Sequence, residues 1–223
     1  MRMRALLVGI FVVAVSSVHA SDVLILGDSM MQTLAPEMVR RLGWSGIEAK
    51  TAATNASGLV RVDRFNWHEE AESVLQQHKA RTVVVMLGLH DNHSMRTSAG
   101  EIPFDASGWD IEYGRRVGQF MDLLLVSGAE KIIWLGLPCM RDADRDRDGQ
   151  RVMRIVSQQA EARSAVTYFS TRTIFCTGES AFDGFITLPN DTRVEVIADD
   201  GIHLNQFGAE HVAQIVIEKF FAQ

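Results

Sequence analysis

Proline and cysteine are scarce in this chain: four and two residues in 223. No stretch is rich in Pro, Gly and Ser together, no internal repeat occurs and no low-complexity block interrupts the chain. Linkers and solenoids are therefore unmarked, and one domain is the economical reading. Cys139 and Cys176 stand in neither a Cys-x-x-Cys nor a zinc-ligand spacing, so neither thiol-redox chemistry nor a structural zinc site is indicated. They can remain two buried thiols or pair with each other. Pairing would close a loop worth about 4 kcal/mol on the chain-entropy model. A basic excess is also missing. The formal charge is −6, which disfavours a nucleic-acid or anionic-membrane partner.

No apolar run reaches the ~20 residues that a spanning helix needs. The longest, Ala5 to Val15, follows Arg2 and Arg4 and precedes Ser16, Ser17, Val18, His19 and Ala20. A basic start, a short apolar centre and small residues before a cut describe a secretory signal peptide over 1–20, with Val18 and Ala20 three and one residues before cleavage. An uncleaved anchor is the alternative; no Cys stands at the cleavage point, so a lipid anchor is not expected. Loss of Arg2 and Arg4 with no acid moves the charge from −6 to −8. The expectation is an exported protein, periplasmic or secreted, whose domain spans 21–223.

What the mature part does contain is alternation. Val23 to Leu26, Thr82 to Met86 and Lys131 to Leu135 are continuous apolar, largely β-branched runs, the pattern of strands buried on both faces. Ile47 to Thr51 and Val166 to Phe169 are weaker candidates. Between them lie helical patterns over Met31–Arg41, His68–His78, Ile111–Ser127, Gln150–Ala162 and Asn205–Phe221, the last with an apolar stripe through Val212, Ile215, Val216 and Phe220. Alternating elements predict an α/β fold, a three-layer α/β/α arrangement around a five-stranded parallel sheet. Ligands bind such sheets outside the carboxyl ends of the strands. Four segments fall there: Gly27-Asp28-Ser29, Asn55 to Gly58, Gly88 to Asn92, and Pro138 to Arg141.

A Ser at a helix start is by default a cap. The same position also suits a nucleophile, because helix N-terminal amides can receive a developing oxyanion. Near the other end, Asp200-Gly201-Ile202-His203 places an acid and an imidazole on one short loop before the last helix. Asp200 could orient His203, which could take a proton from Ser29.

With these motifs in this order the chain resembles the SGNH (GDSL-type) hydrolase superfamily. Asn55-Ala56-Ser57-Gly58-Leu59-Val60-Arg61 with Asp63, Phe65 and Trp67, then Glu112 to Val117, Trp134 to Pro138 and Met140-Arg141, resemble one exported bacterial branch of little assigned function. The resemblance covers essentially the whole mature chain. It implies a flavodoxin-like fold, Ser29, Asp200 and His203 as a catalytic triad, and the backbone amides of Ser29 and Gly58 as oxyanion donors. Asp28 would organise the turn, and Asp199 lacks the family spacing to His203. The resemblance implies neither cofactor nor metal.

One position departs from the pattern. The family presents an Asn two residues after the Gly of its third block, and here that residue is His90. A neutral imidazole can donate one hydrogen bond and an imidazolium more strongly. Alternatively a backbone shift brings Asn92 into the role, or the hole is weakened. Arg61, Asn92 and Arg141 are candidate substrate-binding groups, and Arg96 is similarly placed; for each arginine a structural ion pair is the alternative.

Other signals count for less. The run Asp142, Asp144, Asp146, Asp148 imitates a calcium loop, but Ile155 stands where a bidentate Glu is required. The interleaved Arg141, Arg145, Arg147 and Arg151 suit a solvated, self-neutralising loop. His90 to His93 match no metal-ligand spacing. His68, His78 and His211 are expected at helix surfaces or interfaces. The resulting expectation is a serine esterase or acyltransferase acting on a small ester or an acylated envelope or extracellular glycan. A non-catalytic carbohydrate-binding or polysaccharide-assembly protein with a degraded site is the alternative, favoured only by His90. Acyl group, acceptor and oligomeric state are left open.

Overall fold

The computed structural model describes residues 22–176 and 182–222; the expected signal peptide lies outside them. The chain runs β1 (Val23–Gly27), α1 (Ser29–Trp44), β2 (Ala49–Ala53), α2 (Trp67–His78), β3 (Thr82–Met86), β4 (Met95–Thr97), β5 (Gly100–Ile102), α3 (Trp109–Val126), β6 (Lys131–Leu135), α4 (Ala143–Glu161), β7 (Val166–Phe169), α5 (Arg172–Phe175), β8 (Phe185–Thr187), β9 (Arg193–Glu195) and α6 (Gln206–Phe220). Five strands form one sheet in the order β2-β1-β3-β6-β7, and every pair in it is parallel. This is the three-layer α/β/α arrangement expected from the alternation. Helix α1 packs on α6, while α3 packs on both α2 and α4. With right-handed crossovers, these two groups cover opposite faces of the sheet.

The core follows from the apolar runs. Val23 to Leu26, Val83 to Met86 and Ile132 to Leu135 are all buried, with Trp67, Trp109, Trp134 and Phe120 packed among them. Among the described residues no helix is long and apolar enough to cross a membrane.

The register aligns the strand ends that matter. Gly27 lies opposite both Ala53 and Met86, so the segments after β1, β2 and β3 leave the sheet at one edge. From β1 the strand order proceeds in both directions, which makes the gap between β1 and β3 the switch point where such sheets bind ligands.

Two expectations need correction, and two hairpins were not foreseen. The second strand begins two residues later than Ile47, because Ser45 and Ile47 donate their amides to Leu42 and end α1 in a turn. As an edge strand of sequence AKTAA with no fully buried residue, it carries little apolar signal. The charged run after Arg141 is not a loop. Asp142 caps α4 by accepting from the amides of Asp144 and Arg145, so the helix starts well before Gln150. The two hairpins, β4–β5 and β8–β9, have three-residue strands, too short for a periodicity to register. Cys139 and Cys176 form a disulfide, which ties the loop after β6 to the end of α5.

Candidate active site

The tight turn after β1 is organised by Asp28. Its Oδ1 accepts from the Met30 amide at 3.0 Å and caps α1. Its Oδ2 accepts from the amides of Gly88 and Leu89 at 3.3 and 3.2 Å. One fully buried carboxylate thus ties the loop after β1 to the loop after β3 across the switch point. Burial and the nearby Asp91 push its pKa up to about 7, although the three amides pull the other way. Ser29 is the first residue of α1, where a backbone N–H has no intrahelical acceptor, and its side chain is half-buried at the sheet edge.

His203 reaches Ser29 from the far end of the chain. Its Nε2 lies 2.8 Å from Ser29 Oγ, and its Nδ1 lies 2.6 Å from Asp200 Oδ2. With the proton on Nδ1 donated to Asp200, Nε2 accepts from the Ser29 hydroxyl. Asp200 is set by its own turn, where Oδ1 accepts from the amides of Ile202 and His203 at 2.9 and 3.0 Å. Partial desolvation raises the Asp200 pKa, but the His203 ring and these amides outweigh it and leave it below the ordinary value. The turn also needs Gly201, whose φ is +71°, a region costly for other residues. The Asp199 carbonyl accepts from Arg141 Nη1 at 2.7 Å.

The segment after β2 is held from below. Ser57 Oγ donates to the Thr54 carbonyl at 2.5 Å and accepts from Trp67 Nε1 at 3.0 Å, which accounts for the Ser and Trp of that block. The buried Asp91 accepts from the Val60 amide at 2.9 Å and from the Tyr113 hydroxyl at 2.8 Å. Arg116 donates to the carbonyls of Leu59, Val60 and Arg96 at 3.2, 3.0 and 2.6 Å. Gly58 abuts the Asp91 carboxylate so closely that no side chain fits there. His90 is half-buried on the loop after β3. Burial first, then the neighbouring basic groups His93, His203, Arg145 and Arg64, hold its pKa below the ordinary value, which favours the neutral ring at pH 7.

Several expected substrate contacts have other occupations. Arg61 is bonded to Asp63 at 2.9 and 2.8 Å. Arg141 braces the Asp199–Gly201 turn with its guanidinium and with its amide, which donates to the Gly201 carbonyl at 2.9 Å. Asn92 Nδ2 donates to Asp148 on α4 at 3.0 Å, which turns the side chain toward that helix. His68, expected at a surface or interface, packs edge-on against Phe120. Asp91, Tyr113 and Arg116 were not singled out from the sequence. The i, i+3 spacing of Tyr113 and Arg116 on α3, with both side chains buried, is the signal that marks them: polar groups on a core-facing stripe need partners.

An acid, an imidazole and a hydroxyl in this order can remove the hydroxyl proton as oxygen attacks an electrophile, and amides at a helix start can receive the charge that develops. Comparison with curated protein sequences gives no match. Solved structures do match. One is a candidate SGNH hydrolase from Slackia heliotrinireducens, with TM-score 0.60 and 18% identity over 90% of this chain and 98% of that one. Another is a catalytic mutant of an acetylxylan esterase from Geobacillus stearothermophilus, with TM-score 0.60 and 14% identity over 93% and 98%. The catalytic domain of peptidoglycan O-acetyltransferase A from Streptococcus pneumoniae matches with TM-score 0.50 and 11% identity over 90% and 92%. At these identities the likeness is one of fold, that of the SGNH hydrolases. A family model described as "Protein of unknown function (DUF459)" matches residues 22–219, and the chain belongs to that family.

Proposed function

We propose that the protein is a serine esterase or acyltransferase of the SGNH kind. Ser29 is the nucleophile, His203 the general base and then acid, and Asp200 the residue that orients the imidazole. The observation that carries this reading is the continuous chain from Asp200 Oδ2 to His203 Nδ1 at 2.6 Å and from His203 Nε2 to Ser29 Oγ at 2.8 Å. Ser29 Oγ attacks the ester carbonyl while its proton passes to His203 Nε2. The tetrahedral oxyanion is received by the amides of Ser29 and Gly58 and by the His90 ring. Collapse expels the alcohol, which takes the proton from His203. A second acceptor, water or a sugar hydroxyl, is then deprotonated by His203 and attacks the acyl-enzyme, releasing the acid or the transferred ester and restoring Ser29.

Acetyl esters on glycans are the substrates proposed. The similar structures include an acetylxylan esterase and a peptidoglycan O-acetyltransferase, and the signal-peptide pattern over 1–20 would bring the chain to where such esters occur. Two chemically suited chain ends meeting at hydrogen-bond distance favour an enzyme over a non-catalytic binding protein. The test is hydrolysis of p-nitrophenyl acetate by the mature protein. Turnover that vanishes in Ser29→Ala supports the reading, and equal rates in the two proteins would overturn it.

A further inference from the structure

The charged residues at the start of α4 do not all neutralise one another. Arg147 pairs with Asp144, Arg151 and Arg154 share Asp110, and Arg172 pairs with Asp146. Arg145 has no carboxylate partner among the described residues. It lines a cavity of about 220 Å³ that opens beside His90, with an apolar floor of Leu89, Met140 and Val152. Asp148 also lines this cavity and accepts from Asn92 at 3.0 Å. Asp148 is thus engaged by the Asn92 amide, which leaves Arg145, among the described residues, as the charged side chain of this lining without a hydrogen-bond partner. A concave low-dielectric wall strengthens the field of such a group. An unpaired guanidinium presents a planar fork that matches a carboxylate or a phosphate.

We propose that this cavity binds an anionic group, a carboxylate or phosphate on the acylated substrate, and that Arg145 selects for it. The cavity is large enough for roughly one sugar ring above the apolar floor, with the ring's acidic substituent against Arg145 and its ester toward Ser29. The inference rests on the ester-cleaving reading above and narrows the substrate to acidic glycans.

The test uses glucuronate, glucose 6-phosphate and glucose as competitors of p-nitrophenyl acetate turnover, with binding of the same three sugars measured in parallel by calorimetry. Glucuronate or glucose 6-phosphate should bind about tenfold more tightly than glucose, the scale of one charge-assisted contact. Whichever anion leads identifies the source of the charge. Arg145→Gln should erase the preference, Arg145→Lys should restore part of it, and Arg147→Gln should leave it intact. Equal binding of anions and glucose by the wild type, or a preference that survives in Arg145→Gln, would overturn the proposal. If p-nitrophenyl acetate is not turned over while calorimetry shows an Arg145-dependent preference, the ester-cleaving reading fails and the anion site stands.

Discussion

Gly58 and Asp91 are in direct apposition: the carboxylate of Asp91 occupies the space in which a side chain at position 58 would begin. That carboxylate accepts from the Val60 amide and is itself fixed by the Tyr113 hydroxyl. The turn carrying the proposed oxyanion amide is therefore held by a buried group on the next loop. Gly58→Ala must displace one or the other. Its kcat on p-nitrophenyl acetate should fall by about 10²–10³-fold, the usual cost of losing one oxyanion donor, with helical circular dichroism retained. A variant at the wild-type rate would remove Gly58 from the proposed machinery.

His90 takes the position where the family pattern has Asn. With its pKa held below the ordinary value by burial and neighbouring basic groups, a neutral imidazole is the proposed donor at pH 7. His90→Ala should lower kcat by about 10²–10³-fold and change KM little, because the bond is made chiefly to the developing charge. A kcat within twofold of wild type would show that the ring is not a donor.

Asp28 should make stability depend on pH. Its pKa rises from 3.8 to about 7 in the fold, so the folded state holds a proton that the unfolded state releases across that interval. The stabilisation is complete below about pH 4 and is lost as pH rises through about 7, a change of a few kcal/mol. Urea unfolding of wild type and Asp28→Asn at pH 4, 5.5 and 7 checks the sign. The wild type should lose stability relative to the variant as pH rises, and parallel curves would contradict the assignment.

The disulfide between Cys139 and Cys176 closes a loop with a sequence separation of 37. Replacing both by Ser should cost about 4 kcal/mol of unfolding free energy, read from chemical denaturation. The loop it anchors includes Arg141, which braces the Asp200 turn, so kcat should fall with stability. Unchanged unfolding would show that the crosslink does not limit the unfolded chain.

Much of this architecture can be read from the sequence because buried parallel strands are written as continuous apolar runs, and Val83 to Met86 or Ile132 to Leu135 can be little else. Ser29, Asp200 and His203 are legible because each stands in a short motif at an element boundary. The edge strand AKTAA was displaced because half-buried strands need no apolar run. The unpaired state of Arg145 was hidden because pairing depends on which residues face one another across helices. Arg151 finds Asp110 on α3, forty-one positions away, and no local spacing announces it. The structural roles of Asp91 and Arg116 were hidden for the same reason: both bind groups of the segment after β2, far away in sequence.

The most direct trial of the account is covalent labelling by a serine-directed phosphonate followed by peptide mass analysis. Reaction requires a hydroxyl activated by its neighbour, so wild type should carry one adduct on Ser29, and His203→Ala should carry none. An unlabelled wild type, an adduct on another residue, or equal labelling of the His203 variant would contradict it.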